Sequence, residues 1–494
     1  MKKALIIILT LSAALCSCKK NVRQTAINLP IVDRALYDST SVFYGNFEEY
    51  PEDLKMLPIG VFDSGTGGLT VLEKIISLDV FDNITGQMGD DDILDFAGEH
   101  FIYLADQANM PYGNYDAEGK SDYLRELVIK DALFLLDDNY YETQYNRESD
   151  GIKPRVKIIV IACNTATAYG LKDITSLLEK SNTGVKVIGV INAGVKATFD
   201  RLNVSDGDEP FAIGVLATPG TIASGAYQRT IEEMMAERGI KTNVTVVNQK
   251  GYGFAEAVDS EPDFVNPTLY TPRDSYRGPR IGRGDDSLDI NLMRIYNFDF
   301  SGNRMLYRRD IQGRYRDIQL NDAVNYARFN LVSLLEKHRL SGSTAPLRAV
   351  ILGCTHYPFL IETLHQVISE LRNIKVENQY LYKHLIADDF IFIDPAVYTA
   401  IECYNTLRED GNLALRIGDQ KVNGYISVPD GFLDSKYLTP DGKLTYEFKY
   451  GRDVDSQEIT TKQVPFSKSN IDSNNLLRIK SLLPYSYELI YPTL

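Results

Sequence analysis

The chain has 494 residues, 44% hydrophobic and 24% charged, with a formal net charge of −15 at pH 7. That length exceeds one ordinary hydrophobic core and implies a globular protein of two or more lobes. The acidic balance excludes a general nucleic-acid binder, which needs a basic face for phosphates. The five cysteines, Cys16, Cys18, Cys163, Cys354 and Cys403, have neither the spacing of a structural zinc site nor the density of a disulfide scaffold.

Lys2 and Lys3 precede an apolar run from Ala4 to Leu15. This reads as an export signal, too short to cross a bilayer as a mature helix. Leu15-Cys16-Ser17-Cys18 resembles a bacterial lipobox, so residues 1–18 are expected to be a lipoprotein signal peptide with Cys18 the lipidated residue. Acyl chains, not a spanning helix, would then hold the protein to a membrane. Lys rather than Asp at position 19 fits an outer-membrane protein facing the periplasm. Residues 19–57 are polar without clear periodicity and read as a tether.

The folded part begins at Pro58. Ile59-Gly-Val-Phe62 is a short strand, Asp63-Ser64-Gly65-Thr66-Gly67-Gly68 a turn, and Leu69, Leu72, Ile75 and Ile76 have helical spacing. The glycines allow backbone N–H groups to approach an anion at a helix start. Neither the P-loop lysine nor the full dinucleotide fingerprint is present. Phe101-Ile-Tyr-Leu104 is a second strand, followed by Asp106 and Pro111-Tyr112-Gly113. A helix presents Leu124, Leu127, Val128, Ala132 and Leu135 on one face. Lys157-Ile-Ile-Val-Ile-Ala-Cys163 is a buried strand ending in a thiol; a helix near 168–178 and a strand at 185–191 follow.

The pattern then restarts with a strand at 211–216, the turn Thr218-Pro219-Gly220-Thr221, a helix holding Tyr227, and a strand at 241–247. A helix at 322–337 leads to Ala349-Val-Ile-Leu-Gly-Cys354-Thr355-His356, a second strand ending in a thiol. A helix at 359–371, a strand at 390–394 and a helix from Pro395 complete the series. Strands alternating with helices predict an α/β protein of two pseudo-symmetric, doubly wound parallel-sheet lobes. The expected bounds are 58–194 with 376–404 for the first lobe and 195–375 for the second. Residues 262–320, rich in Arg and Tyr, read as a solvated insertion or a docking surface for an anionic cell-wall polymer. Residues 405–494 alternate polar and apolar positions between Asn-Gly and Asp-Gly turns and read as a small β-rich C-terminal appendage.

Both thiols sit at carboxyl ends of strands, where open α/β sheets place their chemistry. Two such groups facing one carbon can take a proton from one face and return it on the other. Cys403 reads as a core thiol.

The ordered motifs Ile59–Leu72, Pro111–Gly113, Ala162–Ala166, Thr218–Thr221 with Ser224–Arg229, and Gly353–Pro358 resemble those of glutamate racemase, in the aspartate/glutamate racemase family. The resemblance covers about residues 58–402 apart from the insertion. It implies an amino-acid racemase without cofactor or metal, with the site between the two lobes. Cys163 and Cys354 would be the two bases, Asp63 assisting the first and His356 the second. Asp63, Ser64, Tyr112, Gly113, Asn164, Thr165, Thr355 and His356 would contact a small amino-acid substrate, glutamate. The family's further acidic residue aligns best with Asp259, with Glu261 as the alternative. Gln249-Lys250-Gly251-Tyr252 departs from the family's apolar segment, which leaves aspartate open as the substrate. An envelope lipoprotein that binds an amino acid without turnover is the rival reading, and a homodimer is allowed. Export also poses a conflict, because facing thiols outside the cytoplasm can join as a disulfide.

Overall fold

The computed structural model describes residues 29–284, 286–414, 418, 420–471 and 473–491. The signal segment 1–18, with Cys18, lies outside the described residues, as does the tether as far as residue 28.

Lobe 1 is built on a six-stranded sheet. In chain order its strands are β1 (Ile59–Asp63), β2 (His100–Ala105), β3 (Ile158–Ile161) and β4 (Lys186–Gly189). Lobe 2 carries β5 (Phe211–Ala217), β6 (Val244–Lys250), then a hairpin of β7 (Met305–Arg309) and β8 (Tyr315–Leu320), then β9 (Leu347–Gly353) and β10 (Ile386–Ile393). β11 (Lys421–Pro429) and β12 (Thr461–Pro465) return to lobe 1. The first sheet runs β12-β11-β2-β1-β3-β4 and the second β10-β9-β5-β6. Stripped of β11 and β12, the two sheets share one order: the first strand central, the second on one side, the third and fourth on the other. All four strands of the second sheet are parallel.

The helices used below are α1 (Pro30–Tyr37), α2 (Leu69–Ile76), α3 (Ser121–Leu136), α4 (Asn164–Ser181), α5 (Val190–Leu202), α6 (Pro219–Ser224), α7 (Ala226–Glu237) and α8 (Phe254–Val258). They continue with α9 (Ala323–Leu340), α10 (Ile361–Asn373), α11 (Pro395–Glu409), α12 (Tyr446–Gly451), α13 (Ser473–Leu482) and α14 (Pro484–Ile490). Both sheets are covered on both faces, which is why their strands read as unbroken apolar runs. On β1, Ile59 and Val61 enter one core while Phe62 enters the other. Lobe 2 repeats this with Phe211, Ile213 and Val215 on one face and Ala212 and Leu216 on the opposite one.

Several expected boundaries move. Residues 29–57 are not a free tether: Leu29, Ile31, Val32, Ala35 and Leu54 are buried in the core that α3 and α4 share. The bound at 194/195 falls inside α5, whose Val195, Phe199 and Leu202 pack on the lobe 2 sheet. β10 pairs with β9 and belongs to lobe 2, so only α11, with Ala396, Ala400, Cys403 and Leu407 in the lobe 1 core, returns to lobe 1. The insertion is solvated on one side only; Tyr276, Leu288, Tyr296, Ile318 and Leu320 pack into the α9 core. The C-terminal segment is no appendage, because β11 pairs in parallel with β2 and β12 antiparallel with β11, and helices α12 to α14 accompany them.

A buried ion pair ties these returns together. Lys157 Nζ, at the start of β3, lies 2.6 Å from Glu99 Oε2. It also donates to the carbonyls of Lys55 at 2.9 Å and Asn412 at 2.8 Å. Glu99 accepts the Ala414 N–H at 2.7 Å. Burial pushes the Glu99 carboxyl up and the Lys157 ammonium down, and their mutual attraction opposes both shifts. Removing one partner leaves a buried charge unmatched, so Glu99→Gln is expected to cost about 3–5 kcal/mol. Urea unfolding checks this: the midpoint should fall, and Lys157→Met with Glu99→Leu together should recover much of the loss.

Candidate active site

In each sheet the strand order reverses between the first strand and the third. The crevice beyond the carboxyl ends of those two strands is where open α/β sheets bind ligands. In lobe 1 those ends carry Asp63 and Cys163; in lobe 2 they carry Thr218 and Cys354. Register makes the match close, with Phe62 opposite Ile161 and Ala217 opposite Gly353.

Cys163 caps α4, its sulfur accepting the Ala166 N–H at 3.5 Å. The thiol points to Ser64 Oγ at 3.6 Å. Asp63 Oδ2 accepts the Gly68 N–H at 2.6 Å. This takes one of the backbone donors expected to face an external anion. Burial, and then the Asp63 carboxylate, push the Cys163 thiol well up. Asp63 is raised by burial against hydrogen bonds and the His356 charge that pull it down. The pair therefore rests as a thiol beside a carboxyl whose basicity is enhanced.

Cys354 ends β9, and its sulfur lies 3.5 Å from His356 Nδ1. The other ring nitrogen, Nε2, lies 3.0 Å from Asp259 Oδ2. Burial works against protonating His356, but the hydrogen bond and charge of Cys354, with the charges of Asp63 and Glu256, outweigh it and raise the imidazole. Asp259 thus meets His356, and Glu261 lies farther along the same segment, its carboxyl pushed up to about 7 by burial and then by Glu256. Both thiols are 7% exposed and free.

The lobes meet tightly here. A methyl placed on Gly67 would fall 2.6 Å from His356 Cε1 and 3.0 Å from Thr355 Oγ1. One on Gly220 would fall 2.7 Å from the Gly113 carbonyl oxygen. Asn164 Oδ1 accepts the Tyr227 hydroxyl at 2.7 Å, and Thr165 Oγ1 lies 3.2 Å from Thr221 Oγ1 and 3.5 Å from Thr218 Oγ1. The start of α4 in lobe 1 is thereby joined to α6 and α7 in lobe 2.

Asp63, Ser64, Gly113, Asn164, Thr165, Thr355, His356 and Asp259 line this junction with the two cysteines. Tyr112 does not offer its side chain there. Its ring lies in the lobe 1 core and its hydroxyl is 2.5 Å from Asp106 Oδ2 and 2.7 Å from Asp131 Oδ2. Thr221, Tyr227 and Arg478 join the junction as well: the first two lie in the Thr218–Arg229 motif, whereas Arg478 pairs with Asp259 from α13 and carries no local signal in the sequence. A cavity of about 170 Å³ beside Asp106, Asn109, Lys130 and Asp131 includes neither thiol in its wall. Among the described residues, no group of three or more His, Cys, Asp or Glu side chains is placed to hold a metal ion.

No family model matches the sequence. The chain is 32% identical over 179 residues to glutamate racemase of Oceanobacillus iheyensis, covering 36% of this chain and 48% of that one. To the enzyme of Aquifex pyrophilus it is 36% identical over 177 residues, 36% of this chain and 51% of the other. In these matches the chain spans about half the length of its curated relatives. A longer match, 26% identical over 400 residues, takes in 81% of this chain and 96% of the glutamate racemase of Carboxydothermus hydrogenoformans. In sequence, the chain is similar to glutamate racemases over part or most of its length. Among solved structures, glutamate racemase isoform RacE1 of Bacillus anthracis aligns over 75% of this chain and 88% of its own, at 21% identity and a TM-score of 0.43.

The Asp63 charge is one cause of the raised Cys163 thiol. Asp63→Asn removes it, so the thiol should fall and alkylation by iodoacetamide at fixed pH should accelerate as the thiolate fraction rises, by less than that rise because a less basic thiolate is a weaker nucleophile. Alkylation followed by peptide mass mapping checks this; an unchanged or slower rate at Cys163 contradicts the assignment.

Proposed function

We propose that the protein interconverts L- and D-glutamate by proton transfer at Cα, with Cys163 and Cys354 acting from opposite faces. One observation carries the reading: two free, buried thiols at one lobe junction, each beside its own proton-accepting group. The sequence similarity to glutamate racemases supports glutamate as the substrate.

The chemistry follows from the asymmetry of the two halves. The Cys163 half rests protonated and can donate. The Cys354 half has an imidazole within reach of its thiol proton and can present a thiolate. That thiolate takes the α-hydrogen, the electron pair remains on Cα, and the Cys163 thiol delivers its proton to the other face. Cys354 ends as thiol and Cys163 as thiolate. The reverse direction needs Asp63 to receive the Cys163 proton, a task its raised basicity suits. A closed junction that excludes water strengthens the hydrogen bonds that hold the carbanion-like transition state. Asn164, Thr165 and Thr355 supply neutral donors and acceptors around the zwitterion.

Further parts of the proposal rest on the sequence. Cys18 carries the lipid anchor, and the protein faces the periplasm from the outer membrane, where a D-amino acid can enter or leave peptidoglycan chemistry. The hairpin β7–β8, with Arg309 stacked on Tyr315 at 4.4 Å and Ile311 at its exposed tip, contacts the cell wall. The enzyme works as a homodimer, and the tight junction keeps its thiols reduced.

Cys163→Ala and Cys354→Ala are each expected to lower racemisation of both glutamate enantiomers by about 10²–10⁴-fold. Circular dichroism of the amino acid, with aspartate run in parallel, measures it. Full activity in either variant contradicts the two-thiol mechanism. Preferential turnover of aspartate would make the protein an aspartate racemase; binding without turnover would make it a binding lipoprotein. Because His356 is raised, the imidazolium, which cannot take a proton from the Cys354 thiol, persists above its ordinary value, and the acid limb of kcat/KM should lie above pH about 6.5. His356→Gln should abolish that limb.

A further inference from the structure

The end of the chain is built into lobe 1. Ile471, Ile479, Leu483 and Ile490 pack in the same core as α2 and β1. The N–H groups of Tyr485 and Ser486 donate to Glu73 on α2, at 3.2 and 2.7 Å. The preceding stretch braces the loop that carries Gly113: Lys449 donates to the Met110 carbonyl at 2.5 Å, and Tyr450 to that of Pro111 at 3.3 Å.

From this lobe 1 scaffold one side chain crosses to lobe 2. Arg478 on α13 pairs with Oδ1 of Asp259, at the end of α8. The opposite oxygen of that carboxylate faces His356, and His356 faces Cys354. Both members of the pair are largely buried, with side chains 16% and 18% exposed. A series therefore runs Arg478, Asp259, His356, Cys354, beginning in one lobe and ending at a base in the other.

We infer that Arg478 is a positioning residue for the Cys354 half of the site, pairing with one oxygen of Asp259 and so moderating the charge that the other oxygen presents to His356. Its kinetic consequences rest on the racemase reading; the geometry does not. The groups that face His356 are mostly acidic: Asp63 from the β1 turn, Cys354 from β9, and Glu256, Asp259 and Glu261 from the α8 segment. Lys443 offsets Glu261 from the C-terminal segment. Arg478 brings positive charge to Asp259 itself. It thereby restrains the pull of that carboxylate on the imidazole proton, which must leave and return in each cycle.

The test compares Arg478→Gln and Arg478→Lys, each alone and in an Asp259→Asn background, in the full chain. Histidine-selective NMR follows the His356 titration, assigned by its loss in His356→Gln, and glutamate racemisation is measured across pH. Without Arg478 the Asp259 charge acts on His356 undiminished. The His356 midpoint should move up, and kcat should fall by about tenfold at unchanged KM, a part of the 10²–10⁴-fold that an acid/base group contributes. Arg478→Lys should lie between, and Arg478→Gln should add nothing once Asp259 is Asn. Unchanged titration and kinetics, or an undiminished effect in the Asn background, overturn the inference. If Arg478→Gln does not fold, the Lys variant decides by the same titration. A moved midpoint in a protein that does not racemise glutamate would sink the racemase reading and leave the positioning role standing.

Discussion

At the lobe junction, backbone and side chains from opposite halves of the chain come so close that a β-carbon at either of two glycines would clash. One on Gly67 would fall 2.6 Å from His356 Cε1, and one on Gly220 2.7 Å from the Gly113 carbonyl oxygen. The closeness follows from topology. Two sheets of the same strand order present the carboxyl ends of their first and third strands to each other, and helices start where those strands stop. The hydroxyl and amide contacts among Asn164, Thr165, Thr221 and Tyr227 hold the halves in register.

The electrostatics of the junction are uneven in a useful way. A buried carboxyl beside Cys163 keeps that sulfur protonated, whereas Cys354 has an imidazole, itself backed by a carboxylate and an arginine from the chain's end. The C-terminal segment supplies the arginine, two strands of the lobe 1 sheet and the brace on the 106–115 loop, and so is built into the body of the junction.

Much of this was legible in the residues. Apolar runs with helical segments between them announce parallel sheets, and strand ends marked by Cys163 and Cys354 announce the crevice. His356 could be placed because it lies within the Gly353–Pro358 motif, whereas Asp259 follows a segment that departs from the family and stood beside Glu261 as an alternative. What stayed hidden is what depends on distant partners. Alternation along residues 421–429 describes a strand equally well in an appendage or in a main sheet; only its pairing with β2 decides. The 29–37 stretch shows its apolar stripe of Ile31, Val32 and Ala35 only once α3 and α4 are there to cover it. Tyr112 reads as a site residue from its motif, yet two buried carboxylates draw its hydroxyl away. Arg478 is one arginine in a polar helix until folding brings it to Asp259.

The most direct measurement is racemisation of glutamate in D2O, with the α-position of product and of recovered substrate analysed in the first turnovers. Two thiols on opposite faces require that the product take deuterium from the solvent-equilibrated sulfur while unreacted substrate keeps its original hydrogen. Product that retains protium, or substrate that gains deuterium before product forms, would mean that a single group serves both faces and would contradict the account.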